Sequence, residues 1–376
     1  MADTRASGGL TVEQWDEKFF TEYLTENRFA GEMGTSENDI IQVKENLTKK
    51  PGDRVNYALV NKLTKAAVLG SNTLEGNEED MSTRSYELAV NKRRNGVRVA
   101  EIEEQFSAIS LRNAARTVLK EWSLKDTETL IIEALASIGG LNYGVASAAQ
   151  RNAWQVANSD RVLYGASVPL TGVHATDLGQ LDTTADLLTA KAVTTMKYKA
   201  LVTANPKIRP IRSAENGRHY YILYVDPRAF RDLKSEANSP IVAAQRETVK
   251  EVENNRLFQG GDLLWDGVII KEVHEMYSVL GSAGGLNTAG TTGTLPVACA
   301  FLCGAQALGT AYAKRWTSQT EIFDYGDKHG CAIESIYGVG KLQFGTQDSN
   351  PFVPGDDRLG SMKDHGVVTG FFAVTP

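Results

Sequence analysis

The sequence predicts a mixed α+β fold built around an extended β-hairpin and one long helix. Two runs alternate apolar with polar or small residues, as expected for half-buried strands: Val55, Tyr57 and Leu59 in the first, and Tyr86, Leu88 and Val90 in the second. A helical pattern follows, with apolar residues three to four apart over residues 102–138. Strands followed by a long helix indicate an α+β arrangement.

The first fifty residues are predicted to form an N-terminal arm. Residues 11–14 have the spacing of a capping box, and Trp15, Phe19 and Tyr23 then recur every four residues, which is typical of a short amphipathic helix. Glycine and polar residues over 31–38 separate this helix from the next element. Its aromatic face is therefore expected to pack either on its own domain or on an adjacent subunit.

The hairpin over residues 51–101 is predicted to reach beyond its own domain. About eleven residues, 53–63, at ~3.3 Å per residue would extend about 35 Å. A two-stranded ribbon alone in water is marginally stable, so it is expected to lie on another surface. Because no catalytic cluster is evident in the sequence, that surface is expected to belong to another copy of the chain.

Opposite charges lie at the two ends of the second hairpin strand. The hairpin tip before this strand is acidic, with Glu75, Glu78, Glu79 and Asp80. A basic group follows the strand and is either a solvated turn or a docking site for the acidic tip of a neighbouring subunit. Together with the arm aromatics, the candidate inter-subunit contact residues are Trp15, Phe19, Tyr23, Leu74, Glu75, Glu78, Glu79, Asp80, Lys92, Arg93, Arg94 and Arg98.

The long helical pattern has a second cap near Asp126 or Thr127 and ends at Gly139-Gly140. Further along, patterns predict helices over 183–197, 227–235 and 297–316, and a flexible glycine-rich loop over 281–293. Strands are predicted over 219–225, over 333–344, over 366–374 and as a pair around Asp266-Gly267.

Composition limits the class of protein. A chain of 376 residues with 42% hydrophobic residues is expected to fold into two or three packed units. The formal net charge of −6 argues against a protein that mainly grips nucleic acid. No run of eighteen apolar residues and no secretory signal is evident, and the three cysteines suit buried thiols, so a cytoplasmic protein is expected.

The sequence predicts no catalytic, cofactor-binding or metal site. Cys299 and Cys303 could be drawn into a zinc site with His329 and Cys331, but the Cys-x-x-Cys knuckle of structural zinc is missing. The five histidines have no nucleophile and carboxylate at a recognisable spacing. A phosphate-binding loop is also missing. An enzyme with an unfamiliar site stays an open alternative.

An ordered set of segments resembles the major capsid proteins of tailed bacteriophages of the enquatrovirus (N-four-like) type. The resemblance runs in order over most of the chain, and its specificity lies in the set rather than in one motif. Besides Trp15 and the early aromatics, the segments are 49–55 (KKPGDRV), 74–79 (LEGNEE), 112–122, 258–261 (FQGG), 265–268 (WDGV), 302–307 (LCGAQA), 324–326 (DYG) and 364–368 (DHGVV).

The resemblance implies a Hong Kong 97-like capsid fold with four parts. They are an N-terminal arm (1–50), an extended loop (51–101), a peripheral domain with a long spine helix (102–140 and 320–376) and an axial domain (141–319). It further implies self-assembly into pentamers and hexamers of an icosahedral head that encloses double-stranded DNA, in a virion assembled in the host bacterial cytoplasm. An encapsulin-like compartment shell protein is the alternative reading.

The resemblance also leads to expectations about partners. Scaffolding and portal proteins, and decoration proteins if present, would be separate chains, because no long charged helical extension precedes the arm. Packaged DNA would be enclosed without sequence-specific binding, and no membrane partner is expected. No lysine and asparagine pair is identified for the covalent cross-link of the founding member of the fold.

Overall fold

The computed structural model describes residues 28–45, 52–60, 63, 65–70, 72–79, 83–107, 109–166, 168–212, 217–235, 262–345 and 362–375. These residues divide into two compact units. The first unit contains residues 92–126 and 314–336. The second contains the described residues within 28–91, 127–313 and 337–375. The arm helix with Trp15, Phe19 and Tyr23 lies outside the described residues.

Strands supply most of the framework. In chain order they are β1 Met33–Gly34, β2 Ile41–Lys44, β3 Arg54–Val60, β4 Thr83–Ala89, β5 Asn91–Ala100, β6 Val162–Tyr164, β7 Ile211–Arg212, β8 His219–Val225, β9 Leu263–Trp265, β10 Val268–Glu272, β11 Val297–Cys303, β12 Leu308–Phe323, β13 Lys328–Lys341, β14 Gln343–Gly345, β15 Met362–Asp364 and β16 Val367–Ala373.

Seven helices in the described residues lie between these strands along the sequence. They are α1 Glu101–Phe106, α2 Leu111–Ala136, α3 Ala148–Ala157, α4 His174–Leu178, α5 Ala190–Tyr198 continued by a π-helical turn Lys199–Thr203, α6 Pro227–Ser235 and α7 Met276–Leu280. Short 3₁₀ turns cover Ala30–Glu32, Ala283–Thr288, Thr291–Gly293 and Asp324–Gly326. Within the described ranges, no helix combines the length and the apolar character that a membrane crossing requires.

A seven-stranded sheet forms the centre of the second unit. Its strands follow the order β6-β16-β11-β8-β10-β9, with β7 paired to β8 beside this path. Strand β11 runs antiparallel to both β16 and β8, with Cys299 opposite Phe371 and Phe301 opposite Tyr224. Strand β10 runs parallel to β8, with Ile269 opposite Ile222.

Both faces of this sheet are buried. Successive residues of β8 alternate between two hydrophobic cores: Ile222 and Tyr224 belong to one, and Leu223 and Val225 to the other. The first core also contains apolar residues of α2, α3, α4 and α7, and the second contains those of α5 and α6. A strand covered on both faces is apolar along its length, which explains the continuous runs in β8, β11 and β16.

The first unit contains parts of three strands and most of the long helix. Strands β12, β13 and β5 are consecutive in a five-stranded sheet of order β1-β2-β12-β13-β5. In this unit, Glu101 N donates to Asp327 O over 2.8 Å, and Ser335 Oγ donates to Lys314 O over 2.8 Å. Trp122 of α2 meets Trp316 of β12 edge to face, with ring centroids 5.9 Å apart.

Several sequence predictions are confirmed. Strand 219–225 and helix 227–235 have the predicted bounds, and strands β9 and β10 flank Asp266-Gly267, where Asp266 has a positive φ of 48°. The predicted strands over 333–344 and 366–374 correspond to β13 with β14 and to β16.

The helix predicted over 297–316 is wrong. This segment forms β11 and the start of β12, which reverse at Gly304–Ala307, where Gln306 has a positive φ of 58°. At this turn Gly304 N donates to Gly366 O and Ala305 N to Arg209 O, over 2.9 and 2.8 Å. A continuous apolar run fits a buried strand as well as a buried helix, so its period did not decide between them.

Three element boundaries also differ from prediction. Helix α2 continues through Asp126 and Thr127 without a break. Neither side chain caps a new helix there, since Asp126 accepts hydrogen bonds from Arg93 and the Thr127 hydroxyl faces the Tyr337 hydroxyl at 3.4 Å. Helix α5 starts at Ala190, capped by Thr189, since Asp182 caps a separate turn. Residues 281–293, predicted as a flexible loop, form 3₁₀ turns, and Leu286 is buried there.

Candidate assembly surface

The hairpin of β3 and β4 is anchored by its alternating apolar face. Arg54 lies opposite Ala89 and Val60 opposite Thr83, so seven residues of each strand are paired. At ~3.3 Å per residue the paired part extends about 23 Å. Its inward side chains share a small core with residues of β12, β14, β15 and the segment between β13 and β14. The members of that core are Val55, Tyr57, Tyr86, Leu88, Ala311, Leu342, Phe344 and Met362.

Contacts in this core fix the position of the hairpin base. Tyr57 Oη donates to Thr310 O over 3.1 Å, and the Lys44 ammonium lies 4.1 Å from the centre of the Tyr57 ring. A Cβ on Gly338 would lie 2.2 Å from Ala89 O, so only glycine permits this approach of the backbones. The expectation that the whole ribbon rests on another molecule is therefore wrong for its base, which packs on its own chain.

The loop beyond the paired strands carries exposed leucines. Leu63, Leu69 and Leu74 are 58%, 75% and 62% exposed, and Val60 at the end of β3 is also exposed. These side chains project from a loop whose described residues are mostly exposed. Exposed apolar residues are candidates for contact with another protein where they form one contiguous patch, so this loop is the first candidate contact surface.

The acidic tip is partly organised by the loop itself. Glu79 Oε2 accepts from Lys65 N over 2.7 Å, and Glu78 Oε2 accepts from Gly76 N over 2.6 Å. The Glu75 side chain belongs to an exposed residue, whereas Asp80 lies outside the described residues. The tip therefore presents negative charge beside Leu74.

The basic group on β5 divides into two kinds of residue. The Lys92 ammonium lies 2.8 Å from Glu334 Oε2, and Arg93 Nε donates to Asp126 Oδ2 over 2.6 Å. Hydrogen bonds from Lys314, which has the larger effect, and from Lys92 lower the pKa of Glu334 to about 2. Lys92 and Arg93 thus have carboxylate partners within the first unit. The role of these residues in inter-subunit contact stays a prediction.

Arg94 and Arg98 are exposed on the same strand. The Arg98 guanidinium lies 4.4 Å from the centre of the Phe323 ring, which holds it against the sheet. Beside it, β5, α1 and α2 line a shallow, open groove of about 430 Å³. Its apolar lining is Val97, Val99, Ala100, Leu111, Ala114, Ala115 and Val118. Arg98 and Glu103 also line this groove, which forms a second candidate contact surface that we call the β5 groove.

The cysteines give no sign of metal or nucleophile chemistry. Cys299, Cys303 and Cys331 are free and buried, and burial raises the pKa of the Cys299 and Cys303 thiols. Cys299 and Cys303 lie on strand β11, not one helical turn apart. In the described part of the chain, no three His, Cys, Asp or Glu residues converge as metal ligands.

The best-packed histidine has a structural environment. His174 is buried between two tyrosines, with Tyr143 Oη 2.7 Å from Nε2 and Tyr164 Oη bonded to Nδ1. Burial, together with the charge of Arg151, lowers the pKa of His174 to about 3. The ring therefore stays neutral at physiological pH and links two hydroxyl groups in the core, with no nucleophile among these partners.

Two polar networks in the core were not predicted from the sequence. Lys341 pairs with Asp364 inside the second unit, and Lys271 pairs with Glu32 on the first face of the sheet. The partners are 23 and 239 residues apart in the chain. Because local sequence patterns carry no information on such pairings, only the assembled strands reveal them.

The described surfaces are typical of a protein that contacts other protein chains. Exposed apolar side chains, an acidic tip and exposed arginines on β5 form its distinctive features, and the described residues contain no three His, Cys, Asp or Glu side chains placed as metal ligands. The chain belongs to the phage capsid protein family, whose sequence profile matches residues 4–369. This places it among structural proteins of phage particles.

Individual relatives agree with this family. The major capsid protein of Pseudomonas phage KPP25 is 29% identical over 357 residues, which cover 91% of this chain and 89% of the relative. The capsid structure of cyanophage Pam1 is similar over 100% of this chain and 99% of that chain, with 34% identity and a TM-score of 0.84. The capsid of Ralstonia phage GP4 shares the fold, with 21% identity, a TM-score of 0.77 and the same coverage.

Proposed function

We propose that this chain is the major capsid protein of a tailed phage and forms the icosahedral shell of its head as pentamers and hexamers. The observation that carries the proposal is the similarity to the cyanophage Pam1 capsid over the full chain, at 34% identity and a TM-score of 0.84. The match to a relative described as a major capsid protein supports the same role. The protein is a component of the virion, and its function is structural.

The finer classification is a Hong Kong 97-like fold in an N-four-like subfamily. A paired hairpin within 51–101 and a 26-residue helix, Leu111–Ala136, support it. The proposed parts are the arm (1–50), the extended loop (51–101), the peripheral domain (102–140 and 320–376) and the axial domain (141–319). The first unit, with 92–126 and 314–336, supports a peripheral domain with somewhat different bounds.

A phage shell is favoured over an encapsulin-like compartment. The similar proteins of Pseudomonas phage KPP25, cyanophage Pam1 and Ralstonia phage GP4 are a phage major capsid protein and phage capsids. A compartment shell would also need a pocket for a cargo peptide, and the β5 groove is the surface to test for one. The assembled shell would enclose double-stranded DNA without reading its sequence, which suits a chain of net charge −6. Scaffolding, portal and decoration proteins would be separate partners.

The hairpin loop and the β5 groove would meet between subunits. Exposed Leu69 and Leu74 supply apolar contact area, and Glu75 and Glu78 of the same loop are opposite in charge to Arg94 and Arg98. When each subunit contacts the next through two different patches, the subunits form a closed ring if the rotation between successive subunits adds up to a full turn. Many such contacts of modest strength add up in a shell through multivalency. The arm aromatics Trp15, Phe19 and Tyr23 are proposed as a further contact of this kind.

Electron microscopy of the purified chain tests the proposed function. Expressed with its scaffolding partner, the chain should form closed, uniform shells, and a purified chain that stays a small oligomer under all assembly conditions would contradict the proposal. Deleting residues 66–83 should leave a folded subunit with unchanged circular dichroism that makes no shells. Normal particles from the deletion variant would refute only the role of the loop and would leave the proposed shell function standing.

A further inference from the structure

Helix α2 carries two stripes of side chains that differ in chemistry. Residues three or four apart in a helix share a face. One stripe is small and apolar and lines the β5 groove: Leu111, Ala114, Ala115 and Val118. The other stripe is partly basic and lines a second groove: Arg116, Leu119, Lys120 and Ser123. The helix therefore separates an apolar surface from a charged one.

The second groove is open and polar. It lies between α2, β12 and β13 in the first unit and has a volume of about 570 Å³, and we call it the α2–β12 groove. Strand β12 lines it with four exposed polar side chains, those of Thr317, Ser318, Gln319 and Thr320. Among the described residues that line this groove, none is Asp or Glu.

The two cations of the groove carry charge that no acid in the described residues offsets. Arg116 and Lys120 are exposed, and neither side chain has an ion-pair partner there. Arg112, one turn earlier on α2, is by contrast paired with Glu104. Arg116 and Lys120 are thus available to an anion from outside the chain.

The acid closest to the groove lining by hydrogen bonding is already paired. Gln319 Nε2 donates to Glu334 Oε1 over 3.3 Å. Glu334 also pairs with Lys92 and Lys314, so its single charge faces two cations. Glu334 therefore does not neutralise the cations of the groove.

Charge is distributed unevenly along the chain. Residues 92–126 and 314–336 of the first unit contain eleven Lys and Arg against nine Asp and Glu, whereas the whole chain has a formal net charge of −6. The first unit is therefore positive in a chain that is negative as a whole. A polyanion is attracted to this unit and repelled by the remainder.

We propose that the α2–β12 groove binds the phosphate backbone of duplex DNA without reading its sequence. Lys and Arg, together with Ser, Thr and Gln, are the side chains that contact phosphates in protein–DNA complexes. Arg116 and Lys120 are one turn apart, about 6 Å along the helix axis, so they reach different phosphates. The Trp316 ring packs edge to face on Trp122, with centroids 5.9 Å apart, and does not form the series of stacking platforms that single strands need.

The identity of this ligand rests on the proposed function, because packaged DNA is the polyanion that a phage head encloses. Two cations per subunit make a weak contact that salt weakens further. Repeated over many subunits, such contacts add up through multivalency. The negative charge of the rest of the chain limits the total, so the duplex is retained loosely.

Fluorescence anisotropy of the purified chain with a short labelled DNA duplex tests the proposal. The logarithm of the association constant should fall linearly with the logarithm of the salt concentration. The groove variant, Arg116→Gln with Lys120→Gln, should reduce this slope by about two, one for each cation, and weaken binding equally for duplexes of different sequence. The control variant, Lys191→Gln with Lys207→Gln, removes two exposed lysines of the second unit and should keep the slope of the wild type.

Three results would overturn the proposal. They are an unchanged slope in the groove variant, an equal loss of slope in both variants, and a loss of binding to a poly-glutamate peptide while duplex binding is retained. The last result would assign the groove to an acidic protein segment. All four substituted residues are exposed, so the unfolding midpoint should match that of the wild type in both variants.

Lysine acetylation of the wild-type chain gives a second test that needs no variant. Mass spectrometry should show that the duplex slows the acetylation of Lys120 and leaves Lys191 and Lys207 unaffected, whereas equal reactivity of Lys120 with and without the duplex would contradict the site. A chain that forms shells and fails this test defeats the groove alone. A chain that passes it and forms no shells under any condition defeats the proposed function and leaves the groove a DNA-binding site.

Discussion

The Lys341 ammonium lies 2.8 Å from Asp364 Oδ2, and both side chains are 1% exposed. Asp364 Oδ2 also accepts from Trp154 Nε1 over 3.2 Å, and Gln343 Nε2 donates to Asp364 Oδ1 over 2.5 Å. A buried ion pair of this kind costs desolvation free energy, which its hydrogen bonds offset. The contacts of Asp364 therefore join β13, β15 and α3 next to the core against which the hairpin packs.

Lys341→Met should lower the free energy of unfolding by about 3 kcal/mol, because it leaves a buried carboxylate without its cation. Urea denaturation measures this change. Lys363→Met, which removes a partly exposed lysine 3.2 Å from Asp160, should cost less than about 1 kcal/mol. The double variant Lys341→Met with Asp364→Asn should recover part of the loss, and a purely additive loss would contradict direct coupling of the pair.

Gly338→Ala should displace the hairpin base, because the added Cβ would lie 2.2 Å from the Ala89 carbonyl oxygen. We expect a loss of at least about 2 kcal/mol in the free energy of unfolding. Gly144→Ala is a matched control, since the nearest atom to its Cβ would be 3.6 Å away. Equal midpoints for the two variants in thermal unfolding would show that the hairpin base does not depend on this approach.

The sequence predicted the hairpin and its exposed acidic tip because alternation and turn chemistry are local signals. Strand β8 was predicted for its aromatic and β-branched residues, whereas β11 was mistaken for a helix because burial on both faces removed its alternation. The partners of Lys92 and Arg93 could not be predicted. Glu334 and Asp126 come from separate elements, and only sheet register and helix packing bring them to β5.

Glu128→Gln should stabilise the second unit at alkaline pH. The pKa of Glu128 in the fold, raised mainly by burial, is about 7, against 4.5 for the unfolded chain. Between these values the folded state binds the extra proton, so the wild type loses stability as pH rises from 4.5 to about 7. At pH 8 the variant should gain on the order of 2 kcal/mol, with no gain at pH 4.

Chemical denaturation across this pH range checks the expected gain, with Glu133→Gln as the control that follows the wild type. A gain of equal size at pH 4 and pH 8 would indicate better packing rather than relief of a buried charge.

His174→Gln should weaken the acid sensitivity of the second unit. Burial lowers the pKa of His174 to about 3, whereas the unfolded chain binds this proton near 6.5. The unfolded state therefore takes up a proton first, and stability falls as pH drops from 6.5 towards 3. The variant should be less stable at pH 7, because a flexible amide replaces the rigid ring whose two nitrogens bridge the Tyr143 and Tyr164 hydroxyls. Its stability should nevertheless change less steeply with pH.

Thermal unfolding between pH 7 and pH 4 measures this slope. His219→Gln, a change of the same type at an exposed position on β8, should retain the slope of the wild type. A wild-type slope in His174→Gln would mean that other groups, such as buried His365, whose pKa burial lowers to about 4, account for the acid sensitivity.

Charge reversal tests the proposed contact between the hairpin tip and the β5 groove. Arg94→Glu alone and Glu75→Lys alone should each reduce the yield of shells, because like charges would then face each other across the contact. The double variant should restore the yield, since the two charges are again opposite.

Both residues are exposed, so the circular dichroism and the unfolding midpoint of the subunit should stay unchanged in all three variants. Lys191→Glu, an equal change of charge on α5, serves as the control. Full yield in both single variants would remove this pair from the contact, and a double variant no better than the singles would show that the residues act separately.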